Sequence, residues 1–225
     1  MFDRLERLIG KSSLAKLNNS HVLVLGLGGV GGHTLEALVR GGIGEVTIID
    51  GDKIELSNLN RQLIADTSNI GKYKTLEFQK RLLKINPKVK INVITNFLTK
   101  DNFSSYINGN YSYFIDACDS IETKKLVISW CFKNNIKLIT SMGVGNRINP
   151  SLLMIGDIKN TNYDPVAKIL RKYAKDNNYS PVTCLYSLEK PLLKDKIIAS
   201  NSFVPATGGL LIAGFVINDL INEKE

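Results

Sequence analysis

The stretch Val22-Leu-Val-Leu-Gly26-Leu-Gly28-Gly29-Val-Gly31, with Asp50 further on, decides the fold. Residues 22–25 are continuously apolar, the pattern of a parallel strand covered on both faces. The glycines then open a helix expected over 30–40, which Gly41-Gly42 end. Gly26 allows a tight turn, Gly28 lets the backbone approach a phosphate, and Gly31 lets the helix pack close on the strand. The missing side chain of Gly29 is expected to leave extra room where a phosphate lies. The free amides and positive dipole end of the helix face that anion. Residues 45–50 form the second strand, and Asp50 at its end can accept two hydroxyl hydrogen bonds from a ribose. Strand, turn, helix, strand and acid in this order read as an adenine-nucleotide site, with NAD and ATP both open.

Working outward, strands are expected at 89–94, 113–116 and 137–140. Helices are expected at 71–85, where Asn86-Pro87 stop the run, and at 101–107 and 121–133. This alternation predicts an α/β fold with a doubly wound, mostly parallel sheet and right-handed crossovers. Beyond Gly143, strands at 152–158 and 182–187 flank a helix at 164–175, which predicts a C-terminal extension of the same sheet. A chain of 225 residues, 44% hydrophobic, buries an ample core. One unit over 1–225 is therefore expected, with 1–145 as nucleotide-binding core and 146–225 as substrate-side extension and closing helix. The apolar tail 207–219 is too short to span a bilayer and reads as a buried helix, so no transmembrane segment is expected.

A net charge of +8 suggests a polyanionic partner, nucleic acid first. Cys118, Cys131 and Cys184 are too few and scattered for a disulfide framework and lack the CxxC spacing of structural zinc. The N-terminus carries acids and no apolar run, so no signal peptide is expected and a reduced, cytoplasmic setting follows.

The loop after the second strand carries the next chemistry. A dehydrogenase needs only Asp50, yet Asp52, Asn58, Arg61 and Gln62 follow, and Lys72 and Lys74 open the next helix. Arginine can take two phosphate oxygens at once and lysine acts as a point charge, so these cations suit a triphosphate; a solvated polar loop is the plainer alternative. The fourth strand ends in Asp116-Ala-Cys118-Asp119-Ser120, at the sheet edge where ligands bind in such folds. A carboxylate facing a triphosphate there would hold Mg²⁺ through one or two oxygens. Capping of the next helix by Asp119 or Ser120 is the other reading, and the two are not exclusive.

Together, GLGGVGG, IIDGD, SNLNRQ, GKYK, INP and DACDS resemble the E1-like adenylating superfamily of ThiF, MoeB and HesA. The resemblance implies a Rossmann-like fold and transfer of AMP from Mg-ATP onto a carboxylate, with release of pyrophosphate. It implies Gly28 and Gly29 beneath the phosphates, Asp50 on the ribose, Asn58, Arg61 and Lys74 on the phosphates, and Asp119 on Mg²⁺. Gly26, Gly31, Asp52 and Gln62 complete the nucleotide site. It also implies a homodimer in which an N-terminal arginine reaches the partner's ATP; Arg4 fits that spacing best, with Arg7 competing. A carboxylate nucleophile is already ionised at neutral pH, so catalysis is positioning and charge stabilisation, assigned to Arg4, Arg61, Lys74 and Asp119.

Sulfur-carrier activators of this superfamily usually carry two CxxC pairs, which this chain lacks. FDRLERLIG, YSYFIDA, DPVAKILR, VTCLYSLE and TGGL instead resemble the tRNA threonylcarbamoyladenosine dehydratases, over nearly the whole chain. That implies ATP-dependent activation of the threonyl carboxylate of t6A in tRNA. A nitrogen of the same side chain then closes the ring of cyclic t6A. An internal nucleophile makes a second catalytic domain unnecessary. Cys184 lies in one of these motifs. A thioester or persulfide role, with a cysteine desulfurase or other sulfur-transfer partner, stands against a half-buried strand cysteine. Lys168, Arg171, Lys172 and Lys175 fall on one helical face, which with a tRNA substrate becomes a phosphate-tracking stripe and otherwise a solvated face. Two other functions stay open: activation of the C-terminus of a ubiquitin-like sulfur carrier, and nucleotide binding without turnover.

Overall fold

The apolar run becomes β1 (His21–Leu25), an interior strand of a seven-stranded sheet. The computed structural model describes residues 1–193 and 198–222. The other strands are β2 (Glu45–Ile49), β3 (Lys90–Ile94), β4 (Tyr113–Asp116), β5 (Leu138–Ser141), β6 (Leu153–Asp157) and β7 (Thr183–Ser187). Their order is β3-β2-β1-β4-β5-β7-β6. Every pair is parallel except β6 with β7, so the C-terminal third does extend the same sheet. The chain winds outward from β1 through β2 and β3, then returns to β4. The strand order therefore reverses between β1 and β4, where doubly wound folds open a crevice at the strands' carboxyl ends.

Two apolar layers cover the sheet because β1 alternates its side chains between them. Val22 and Val24 join a layer with Leu35 and Leu38 of α3 (Gly31–Arg40), Phe78 of α4 (Lys74–Ile85) and Ile212 of α8 (Phe203–Ile221). Leu23 and Leu25 join the other, with Phe103 of α5 (Phe103–Tyr106), Val127 of α6 (Ile121–Asn134) and Leu170 of α7 (Pro165–Asp176). Two N-terminal helices that sequence reasoning did not anticipate, α1 (Asp3–Ile9) and α2 (Lys11–Asn18), precede β1, and only Leu14 and Leu17 of them are buried.

Two helix expectations need correction. The helix expected from residue 71 begins at Lys74, because Gly71 takes a φ of 85° and Tyr73 bridges to Lys53. The tail helix begins at Phe203, and its 19 residues are long and apolar enough to cross a membrane by length and composition. Its buried side packs on α3, where Thr34 Oγ1 donates to the Gly209 carbonyl at 3.1 Å.

A buried carboxylate joins α3 to α4. Glu36 accepts from Arg81 Nε at 2.5 Å and from Arg40 Nε at 2.9 Å. Burial pushes its pKa up, but the two guanidinium groups more than offset this and the net shift is downward. A lowered carboxylate contributes stability that is present above its ordinary pKa and lost as pH falls through the folded value. Glu36→Gln should therefore cost about 1 kcal/mol at neutral pH. Urea melts should show that gap closing below about pH 4, the ordinary glutamate range; a gap that persists in acid would show that packing, not charge, holds Glu36.

Candidate active site

The glycine turn between β1 and α3 forms the floor of a cleft of ≈ 1020 Å³ at the β1/β4 switch. Gly26 has a φ of 85°, and a Cβ there would lie 2.7 Å from the Ala117 backbone, so only glycine lets the turn lie against the end of β4. A Cβ on Gly28 would meet nothing within 4 Å, which leaves backbone open for a phosphate. Gly29 corrects the expectation placed on it. A Cβ there would lie 2.9 Å from Pro205 of α8 and 3.6 Å from the stem of Arg61, so the missing side chain admits protein. Gly31 lies behind the cleft, where a Cβ would strike the Gly26 carbonyl.

Asp50 ends β2 almost buried, and its two oxygens accept the Leu27 and Asp52 amides, each at 2.7 Å. Burial pushes its pKa up, against the pull of Lys74 and those two amides. Each carboxylate oxygen keeps a further lone pair for a ribose hydroxyl. Lys74, 4% exposed at the start of α4, pairs with Asp52 Oδ2 at 2.7 Å. The 3₁₀ turn Leu56–Asn58 shapes the loop between them: Asn58 Oδ1 accepts the Glu55 amide, and Glu55 answers from its side chain. Arg61 Nη1 donates to the Ser57 carbonyl at 2.7 Å and to Asn60 Oδ1 at 3.0 Å. Gln62 is 8% exposed, and its Oε1 is buried without a hydrogen-bond partner. Asp50, Asp52, Asn58, Arg61, Gln62 and Lys74 all line the cleft, together with Gly26, Gly28 and Gly29.

The two acids after β4 divide their labour. Asp116 is fully buried and accepts from Lys124 Nζ at 3.0 Å and from Thr140 Oγ1 at 2.6 Å. Asp119 lines the cleft, exposed, and makes no hydrogen bond or ion pair among the described residues. Ser120 takes the helix cap, accepting the Thr123 amide at 3.3 Å, so Asp119 is not needed there. No cluster of three or more metal-ligating side chains occurs among the described residues. One free carboxylate in this cleft is an oxygen donor of the kind Mg²⁺ takes, a metal that shares its remaining ligands with phosphates and water. Lys124 was missed by sequence reasoning. Its signal was available, because it falls three, four and seven residues before Val127, Ile128 and Cys131, all buried on the same helical face.

Three expectations fare differently. Cys184 is fully buried on β7, and burial, with Asp157 and Asp164 nearby, pushes its thiol up to about 12. A closed-in thiol shifted upward favours the strand-cysteine reading over the thioester and persulfide role. Cys118 lines the cleft, but burial first and Asp116 second push its thiol up as well. On α7 the basic stripe is broken: Arg171 Nη1 donates to the Thr161 carbonyl and hydroxyl, each at 2.7 Å, and Lys172 pairs with Asp176 at 2.5 Å. Lys168 and Lys175 stay exposed and form no ion pair among the described residues. Arg4 sits exposed on α1 and does not line the cleft of its own chain.

Comparison with known proteins agrees with this geometry. The ThiF family profile matches residues 2–186. The tRNA threonylcarbamoyladenosine dehydratase of Bacillus subtilis is 35% identical over 243 aligned residues, covering all of this chain and 96% of that protein. The protein of the same name from Haemophilus influenzae is 43% identical over 180 residues, covering 80% of this chain and 69% of its own length. Among solved structures, the E. coli tRNA N6-threonylcarbamoyladenosine dehydratase TcdA in complex with ATP superposes with a TM-score of 0.92 at 34% identity, over 98% of this chain and 93% of that one. With the family profile, the full-length relative and the glycine-floored cleft in agreement, this chain belongs to the ThiF family.

Proposed function

We propose that this chain is an ATP-dependent adenylating enzyme of the tRNA threonylcarbamoyladenosine dehydratase type, acting on t6A in tRNA. The observation that carries the reading is the free Asp119 carboxylate, which shares one cleft with the open backbone at Gly28 and the cations Arg61 and Lys74. The chain acts as one unit, residues 1–145 holding the nucleotide and 146–225 facing the substrate, in a cytoplasmic setting.

The substrate's threonyl carboxylate attacks the α-phosphorus of ATP, a P–O bond forms, and the bond to pyrophosphate breaks. A nitrogen of the same side chain then attacks the activated carbonyl, losing its proton as AMP leaves and the ring closes. Both steps join groups already held together, so positioning and charge stabilisation carry the catalysis. Gly28 and the N-terminus of α3 receive the phosphates. Arg61 Nη1 is held by Ser57 and Asn60 and Lys74 Nζ by Asp52, which leaves further N–H donors on both side chains for a triphosphate. Asp50 orients the ribose while holding the turn. Gln62 brings its unpartnered Oε1 to the same site. Asp119 would hold Mg²⁺, which neutralises phosphate charge when bound.

Arg4 completes the site from the partner of a homodimer, with Arg7 as the alternative on the same helix. In support, α1 has no buried residue and Leu8 is 81% exposed. On the tRNA side, Lys168 and Lys175 are the α7 cations free to meet phosphates.

ATP–pyrophosphate exchange driven by t6A-containing tRNA, with mass analysis of the nucleoside product, tests the reading. Asp119→Ala should lower exchange by about 10²-fold or more while the fold is kept; exchange that persists would remove Asp119 from the metal. Exchange that required a protein ending in Gly-Gly would favour a sulfur-carrier activator instead. Mixing inactive Arg4→Ala and Asp119→Ala chains should restore about a quarter of the activity, since half the dimers then hold one intact site. No restoration would place the arginine in its own chain's site. Lys168→Glu with Lys175→Glu should weaken tRNA binding and reduce its salt slope by about 2, with ATP binding intact; an unchanged slope would take tRNA off α7.

A further inference from the structure

The reaction above uses Asp119 but not the charged pair buried beside it. Asp116 is 0% and Lys124 2% exposed. Lys124 Nζ donates to Asp116 Oδ2 at 3.0 Å, to Thr140 Oγ1 at 3.2 Å and to the Ser141 carbonyl at 2.9 Å, which uses all three ammonium protons. Thr140 donates to the same Asp116 oxygen. That leaves Asp116 Oδ1 to accept the Cys118 amide at 3.2 Å. Cys118 is joined directly to Asp119, and the Ser120 cap holds the other side of the turn. The backbone on either side of Asp119 is thus held, at Cys118 by Asp116 and at Ser120 by the helix that it caps. An apolar pair of similar volume is often as stable as a buried ion pair, so stability alone gives little reason to retain this one.

We propose that Lys124 is a positioning residue for adenylation: it clamps Asp116 so that the turn 117–120 presents the Asp119 carboxylate to the metal over the glycine floor. The proposal rests on the assignment of Asp119 to the metal. The same ammonium reaches the end of β5, so the metal-side turn is fixed against the strand that leads into the substrate-side extension. Asp116 and Lys124 neutralise each other, and the clamp adds no net charge beneath the cation. Lys124 itself stays protonated: burial alone would push its pKa down, but Asp116 more than offsets that and the net shift is upward.

Lys124→Met leaves the Asp116 carboxylate buried without its counter-ion, so the decisive variant is Asp116→Asn/Lys124→Met, in which the cluster stays neutral. Circular dichroism reports its fold, and thermal shift with ATP reads binding without turnover at rising Mg²⁺. The expected result is a folded variant whose ATP-induced shift without Mg²⁺ matches the natural chain. Its half-maximal Mg²⁺ concentration should be raised about tenfold, as for groups that orient a metal ligand. A folded variant with an unchanged Mg²⁺ requirement overturns the proposal. A double variant that unfolds also overturns it, by showing that the pair is kept for stability. A natural chain whose ATP binding ignores Mg²⁺, and whose exchange survives Asp119→Ala, instead fails the assignment of Asp119 on which the proposal stands.

Discussion

The carboxylate of Asp50 holds the working end of this protein together. It takes one amide from the glycine turn after β1, at Leu27, and one from the loop after β2, at Asp52. Those two segments are covalently distant, and neither lies within a strand or an α-helix. A single buried acceptor sets both at once, because an unpaired amide or carboxylate in that interior costs more than the bond it makes. The phosphate floor and the loop with Asn58, Arg61 and Gln62 consequently share one frame of reference.

Around that frame the cleft is built mostly from groups already satisfied by neighbours. Lys74 holds Asp52, Arg61 holds Ser57 and Asn60, and Asn58 closes its own 3₁₀ turn. These bonds keep long side chains near where charge will develop, so their entropy is largely lost before a nucleotide arrives. Two groups stand outside the pattern. Asp119 has no hydrogen-bond partner among the described residues, and Gln62 Oε1 is buried without one. An unmet acceptor in a polar cleft is open to a ligand or to water.

The nucleotide half was legible in the chain because its determinants are local. Apolar run, glycine spacing and terminal acid lie within one strand-helix-strand unit, and each acts on neighbours a few residues away. The roles of Gly26, Gly28 and Gly31 follow from backbone geometry at the turn itself. Gly29 was misjudged because what fills its space is Pro205, which is remote in sequence. Arg171 shares its helical face with Lys168 and Lys175, yet it turns to the Thr161 carbonyl, which periodicity does not record. Cys184 carried a motif but not its burial, which depends on β5 and β6 pairing on either side of it.

The sequence by itself determined the elements from β1 onward, the mostly parallel sheet, the glycine turn and the kinship with adenylating enzymes, since patterning and turn chemistry are short-range properties. Only the tertiary structure decided which of the two acids after β4, Asp116 and Asp119, is buried and which is free. It also decided which lysine is spent inside, which thiol is closed off and which glycine leaves open space in the cleft. Those outcomes depend on what the fold brings within a few ångströms, and the free energy of burying a charge is set there rather than along the chain.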